Sequence, residues 1–144
     1  MNYWDTSCLL KLYVREEYSG LYLDLVRQQA TPIFTSVLAE TEFAFAVSRK
    51  EADGSLLPGA ATDLAGAFRR SVSDGCIRLV PLHQAIRESA SELARRFLIT
   101  HTPSLTLRTL DGIHLATAIS LHATHLLTAD RRLAAAAKAC GLHT

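Results

Sequence analysis

Four acidic residues occupy places that do not suit an ordinary surface charge. Asp5 directly follows the apolar pair Tyr3-Trp4 and precedes two hydroxyls, Thr6 and Ser7. Glu40 stands in VLAETEF, Asp111 in LRTLDGIHLA, and Asp130 closes HLLTAD. No lysine or arginine reads as their ion-pair partner, so bringing them together costs repulsion unless a cation joins them. Their oxygens are hard ligands that favour Mg²⁺ or Mn²⁺ over zinc. The hydroxyls of Thr6, Ser7 and Thr128 would orient a carboxylate or a metal-bound water. Carboxylate-held Mg²⁺ suits phosphodiester hydrolysis, because it lowers the pKa of a bound water and neutralises charge on the phosphate. Taken singly, Asp5 and Asp130 read equally well as helix N-caps, and Glu40 as a half-buried acid with a distant arginine. The four together favour a site.

Whether they meet depends on the elements that carry them. Residues 2–4, 33–36 (IFTS), 76–81 (CIRLVP) and 125–130 (HLLTAD) read as short strands. Helical spacing fills the intervals: 7–14, 19–29 with Ser19 as N-cap, a helix capped by Ser36 with Val37, Phe43, Ala44 and Val47 inward, and one ended by Gly75. The turn 52–59 separates those last two helices. Further helices follow over 83–100 (Ile86, Ala90, Leu93 and Phe97 on one face), 107–123 (Leu110, Ile113, Thr117 and Leu121 inward) and 131–140, with a loop at 100–106. Strands alternating with helices imply an α/β fold: a short parallel sheet of about four strands, helices on both faces, as one domain over 1–144. In such sheets the crevice lies beyond the carboxyl ends of the strands, where Asp5 and Asp130 fall. Glu40 is one turn into the helix after strand two. Glu42 is on a different face of that helix and has at most an auxiliary role. His114, one turn beyond Asp111, reads as a structural histidine.

Composition adds bounds. The 49% hydrophobic content, with 7 Gly and 4 Pro, supports a packed core. No run approaches the ~20 apolar residues of a membrane span, and the absence of a secretion-type start makes a cytoplasmic setting the expectation. Cys8, Cys76 and Cys140 form no metal-ligand pair and read as small reduced core residues. Net charge is +1, yet residues 76–144 hold eight bases against four acids. Of the arginine pairs, Arg131–Arg132 adjoins Asp130 and is the candidate for phosphate contacts; the others read as solvated faces.

The stretches YWDTSCLLKLYVREE, TSVLAETEFAFAV, LRTLDGIHLATAI and LLTADRRLAAAAKACGL occur in the order, and each with the acid, of the PIN-domain ribonucleases. The sequence resembles in particular their VapC-type members, toxins of type II toxin–antitoxin pairs. The resemblance implies a PIN-like three-layer fold and matches Asp5, Glu40, Asp111 and Asp130 to the family's acidic quartet, with Asp5 and Asp111 as principal metal ligands. Thr6 and Thr128 match its small hydroxyl positions. It further implies Mg²⁺-dependent endonucleolytic cleavage of RNA (Mn²⁺ as substitute), a homodimer, and inhibition by a VapB-type antitoxin. Trp4 replaces a smaller aliphatic residue, and the closing GLHT leaves the sheet's edge short. Two alternatives compete. A haloacid-dehalogenase-like phosphatase needs a second Asp two residues after the first, where Ser7 stands. A non-catalytic PIN-fold binding module would be marked by loss of an acid.

Overall fold

In the first strand, β1 (Asn2–Trp4), Tyr3 and Trp4 are both fully buried, but in two different cores. Successive side chains of a strand point to opposite faces of a sheet, so β1 must be covered on both. The computed structural model describes residues 1–99 and 106–144. It contains β2 (Ile33–Ser36), β3 (Ile77–Val80) and β4 (His125–Leu127), all parallel to their neighbours in the order β3-β2-β1-β4. Helices α1 (Thr6–Tyr13), α2 (Ser19–Gln28), α3 (Leu38–Ala52) and α4 (Ala60–Ser73) pack around Trp4, Leu9, Phe43 and Phe68. On the other face, α5 (Gln84–Ile99), α6 (Thr109–Ser120) and α7 (Arg131–Ala139) enclose Tyr3, Leu93, Leu115, Leu126 and Leu133. Leu126 and Leu127 split between the two cores as Tyr3 and Trp4 do. The result is the expected three-layer α/β fold. Among the described residues no helix is long and apolar enough to cross a membrane.

Several local expectations need correction. Ser19 does not cap α2: its hydroxyl accepts from Glu16 N–H and donates to Val14 C=O, tying the preceding turn, and Tyr18 in left-handed backbone takes the cap position. Val37, not Ser36, takes the N-cap position of α3, although the Ser36 hydroxyl accepts from the amide of Leu38 at 3.3 Å. Leu110 is exposed, but Thr117 is fully buried and Ile113 and Leu121 pack against the core as expected, with His114, Leu115 and Ala118 widening the inward face of α6. Cys76 is exposed, Cys140 packs half-buried against one core, and Cys8 is fully buried in the other. There, burial and then the charge of Asp5 push its thiol up to about 12. The tail also extends the sheet edge: His143 forms a parallel bridge with His125, accepting from Leu126 N–H at 2.8 Å. The expected loop at 100–106 lies, but for Thr106, outside the described residues.

One ion-pair network pins the helices that lead to the site. Glu16, between α1 and α2, is held by Lys11 at 3.2 Å and by Lys50 near the end of α3. Burial alone would raise its pKa, but hydrogen bonds from Lys50 and Lys11 outweigh that and hold the carboxyl below its usual range. A lowered carboxylate pKa stabilises the fold above the unfolded value of ~4.3, and the benefit is lost as pH falls through the folded value. Glu16→Gln is therefore expected to cost about 1 kcal/mol at pH 7 and close to nothing in acid below that folded value. Urea denaturation at the two pH values reads the difference; an equal deficit at both contradicts it.

Candidate active site

Because β1 and β4 are neighbours in register, the residues that leave their carboxyl ends meet. The amide of Asp5 donates to Leu127 C=O at 3.0 Å. Each strand then turns into a helix capped by an acid, Asp5 for α1 and Asp130 for α7. Asp5 is only 5% exposed. Its Oδ1 accepts from Cys8 N–H (3.1 Å) and Ser7 Oγ (2.6 Å), and its Oδ2 from Thr128 Oγ1 (2.7 Å). The two hydroxyls are fixed in turn, since Ser7 Oγ accepts from Ala129 N–H and Thr128 Oγ1 from Asp130 N–H. Burial pushes the Asp5 pKa up, against the hydrogen bonds from Ser7 and Thr128, which act to lower it. This carboxylate is thus oriented by three donors and still short of positive charge.

The second acid is Glu42. Its Oε2 accepts from Thr6 Oγ1 at 2.5 Å and pairs with His114 Nε2 at 2.7 Å. His114, 2% exposed, bonds the Tyr3 hydroxyl through Nδ1 at 2.6 Å, and that hydroxyl accepts from Ser36 N–H at 2.9 Å. Having accepted from Ser36, Tyr3 has its own proton for Nδ1, which leaves Nε2–H as the donor to Glu42; this tautomer is assigned from the bonding pattern. Burial alone would raise the Glu42 pKa, but the bonds from His114 and Thr6 hold it below its usual range.

The third and fourth acids share one cation. Arg108, at the N-cap position of α6, places Nε 3.2 Å from Asp111 Oδ2 and Nη2 3.2 Å from Asp130 Oδ2. Asp111 and then Asp130 hold its proton more firmly. The four acids, Arg108 and His114 border a crevice of about 780 Å³ between the α3 and α6 faces. A second hollow of about 570 Å³, bounded by Ala90, Phe97, Leu107 and Ile113, carries no carboxylate among the described residues.

Of the residues expected from sequence, Asp5, Thr6, Ser7, Asp111 and Asp130 line the crevice, and Thr128 reaches Asp5. Glu40 does not line it. The crevice face of α3 is the stripe Thr41, Glu42, Phe45, Ala46 and Arg49, and at about 100° per residue Glu40 points some 160° away from Glu42. Arg131 and Arg132 are exposed on α7 outside the crevice, and Arg132 contributes its backbone N–H to Asp130. The arginines at the crevice are Arg49 and Arg108. The latter corrects the expectation that no basic partner stood near Asp111: it is three residues upstream, the spacing of an ion pair on one helix face.

Among the described residues no three acidic, histidine or cysteine side chains are gathered as ligands for one ion. The donor set nevertheless fits a hard divalent cation. It offers carboxylate oxygens from Asp5, Asp111, Asp130 and Glu42, and the Asp111–Asp130 pair already holds a cation in the form of a guanidinium.

An acid-lined crevice at the carboxyl edge of a four-stranded parallel sheet, with helices on both faces, defines the class of this domain. A family model for the PIN domain matches residues 3–139, and the chain belongs to the PIN-domain family. Among solved structures it is similar to Mycobacterium tuberculosis VapC20, described as a sarcin–ricin-loop-cleaving toxin, with a TM-score of 0.71 over 94% of this chain and 95% of that one. Identity is 18%, so the likeness bears on the fold. No curated protein sequence matches.

Proposed function

We propose that the protein is a Mg²⁺-dependent endoribonuclease and the toxin of a toxin–antitoxin pair. The observation that carries this is the convergence of Asp5, Glu42, Asp111 and Asp130 on one crevice of a PIN-domain chain. The carboxylates of Asp5, Asp111 and Asp130 would hold the ion, with Glu42 at its edge. The chemistry such an ion supplies is activation of water and neutralisation of charge on the scissile phosphate. The chain's own residues do the positioning. Ser7, Thr128 and the Cys8 amide fix both oxygens of Asp5. Thr6 and His114 keep Glu42 ionised and aimed at the crevice, with one oxygen engaged and the other available to orient a water or a ribose hydroxyl. RNA as the substrate follows from the motif resemblance to PIN-domain ribonucleases, and the likeness to VapC20, described as a sarcin–ricin-loop-cleaving toxin, supports the toxin reading. The motif resemblance further supports a homodimer, a cytoplasmic setting and a VapB-type antitoxin covering the crevice.

The test has two parts. RNA ends that appear on induced expression should identify a discrete cut, and the purified protein should reproduce it. That cleavage should stop on exhaustive chelation with EDTA and return with Mg²⁺ or Mn²⁺. Cleavage that survives chelation would contradict the metal-dependent reading.

A further inference from the structure

We infer that Arg108 is a tethered counter-ion of Asp111 and Asp130, occupying the carboxylate oxygens that a divalent cation needs, so that ion binding requires it to move. The inference rests on the reading of these two acids as metal ligands and concerns what stands in the way of the ion. Asp130 has one oxygen committed to its helix: Oδ1 accepts the amides of Arg132 (2.7 Å) and Leu133 (3.1 Å). Its remaining oxygen, Oδ2, is the one that Arg108 Nη2 holds, and Nε of the same guanidinium holds Asp111 Oδ2. Arginine and metal therefore compete for the same atoms. A lysine ammonium is a point charge, whereas the guanidinium fork can address two carboxylates from different helices at once.

Exposure sets how easily the competition is resolved. The Arg108 side chain is 75% exposed, while those of Asp111 and Asp130 are 16% and 26% exposed. The cation thus sits at the mouth and the acids behind it. Both contacts are longer than the ~2.7–2.9 Å of a tight charge-assisted bond, and exposed ion pairs are weak. The arginine can be displaced outward into solvent without opening the core. Two weak pairs lost on ion binding should lower metal affinity by about three- to tenfold.

The test measures Mn²⁺ binding to the intact protein, by calorimetry and by the electron-spin resonance of free Mn²⁺, with no RNA present. Arg108→Gln should bind Mn²⁺ about three- to tenfold more tightly than the parent, and Arg108→Lys, which cannot bridge both acids, should fall between them. Adding Asp111→Asn to Arg108→Gln should bring Mn²⁺ binding below that of the parent, because the contested carboxylate is itself one of the groups that would hold the ion. Without metal, Arg108→Gln should melt at or below the parent temperature, and saturating Mn²⁺ should reverse that order. Unchanged or weaker Mn²⁺ binding by Arg108→Gln, with the parent still binding, would overturn the counter-ion role alone. Absence of binding by every variant would overturn it together with the metal reading of the site.

Discussion

Asp5→Asn is expected to fold and to lose RNA cleavage by about 10³-fold or more, the several kcal/mol of charge stabilisation that a metal centre contributes. The fold should survive because asparagine is as good an N-cap as aspartate. Its amide oxygen can take the bonds from Ser7 and the Cys8 amide, while the Thr128 hydroxyl can rotate to accept instead of donate. The sign of the pH linkage agrees. Burial raises the Asp5 pKa, so this group favours the folded state at low pH, and the advantage is lost as pH rises through the folded value. At neutral pH the ionised carboxylate is a burden in the metal-free protein, and the asparagine variant should melt no lower than the parent. Added Mg²⁺ should raise the parent's melting temperature and that of the variant much less. Parent-like cleavage by a demonstrably pure Asp5→Asn preparation would remove this residue from the site.

Glu40 and Glu42 offer a paired comparison within one helix. Glu42→Gln keeps the bonds to Thr6 and His114, since its carbonyl oxygen accepts as the carboxylate did, but it removes the charge at the crevice. Cleavage should fall by about 100-fold, the scale seen when a group supporting a metal centre is lost. Glu40→Gln should change it by no more than about twofold, as befits a substitution away from the site. Steady-state cleavage of one defined RNA by both variants decides the matter, and the reverse ranking would restore Glu40 to the quartet. A melting curve guards against the simpler explanation that losing the Glu42 charge unsettles buried His114.

The contrast between these two glutamates shows where sequence alone stops. The strands were legible because each is a short apolar run between turn residues, and Asp5 and Asp130 were legible because they follow strands directly. Glu42 was obscured because its neighbours on α3 do not reveal which stripe faces the crevice. Phe43 and Val47 mark the core face, but Phe45, 64% exposed at the crevice, looks equally apolar in sequence. The same ambiguity placed Leu110 inward and set His114 aside. His114 became recognisable only once Tyr3, Ser36 and Glu42, from three other elements, were seen to meet around it. Arg108 did carry a signal, its three-residue spacing from Asp111, but its second partner, Asp130, is 22 residues away. A carboxylate shared across that distance is a property of the folded chain.

The central position of β1 has a bearing on synthesis. A strand made first, near the N-terminus, pairs on one side with β2 at residues 33–36 and on the other with β4 at 125–127. Chains emerge from the ribosome N-terminus first at ~5–20 residues per second, so β1 waits several seconds with one edge unpaired after its β2 side can close. During that interval Asp5 lacks the Leu127 carbonyl, the Thr128 hydroxyl and Asp130. The candidate site is therefore incomplete while the chain is still being made, and the open strand edge invites pairing with another chain or a chaperone. Adding β4 closes that edge and brings Thr128 and Asp130 to Asp5, so on this topology the sheet and the candidate site are completed in the same folding step.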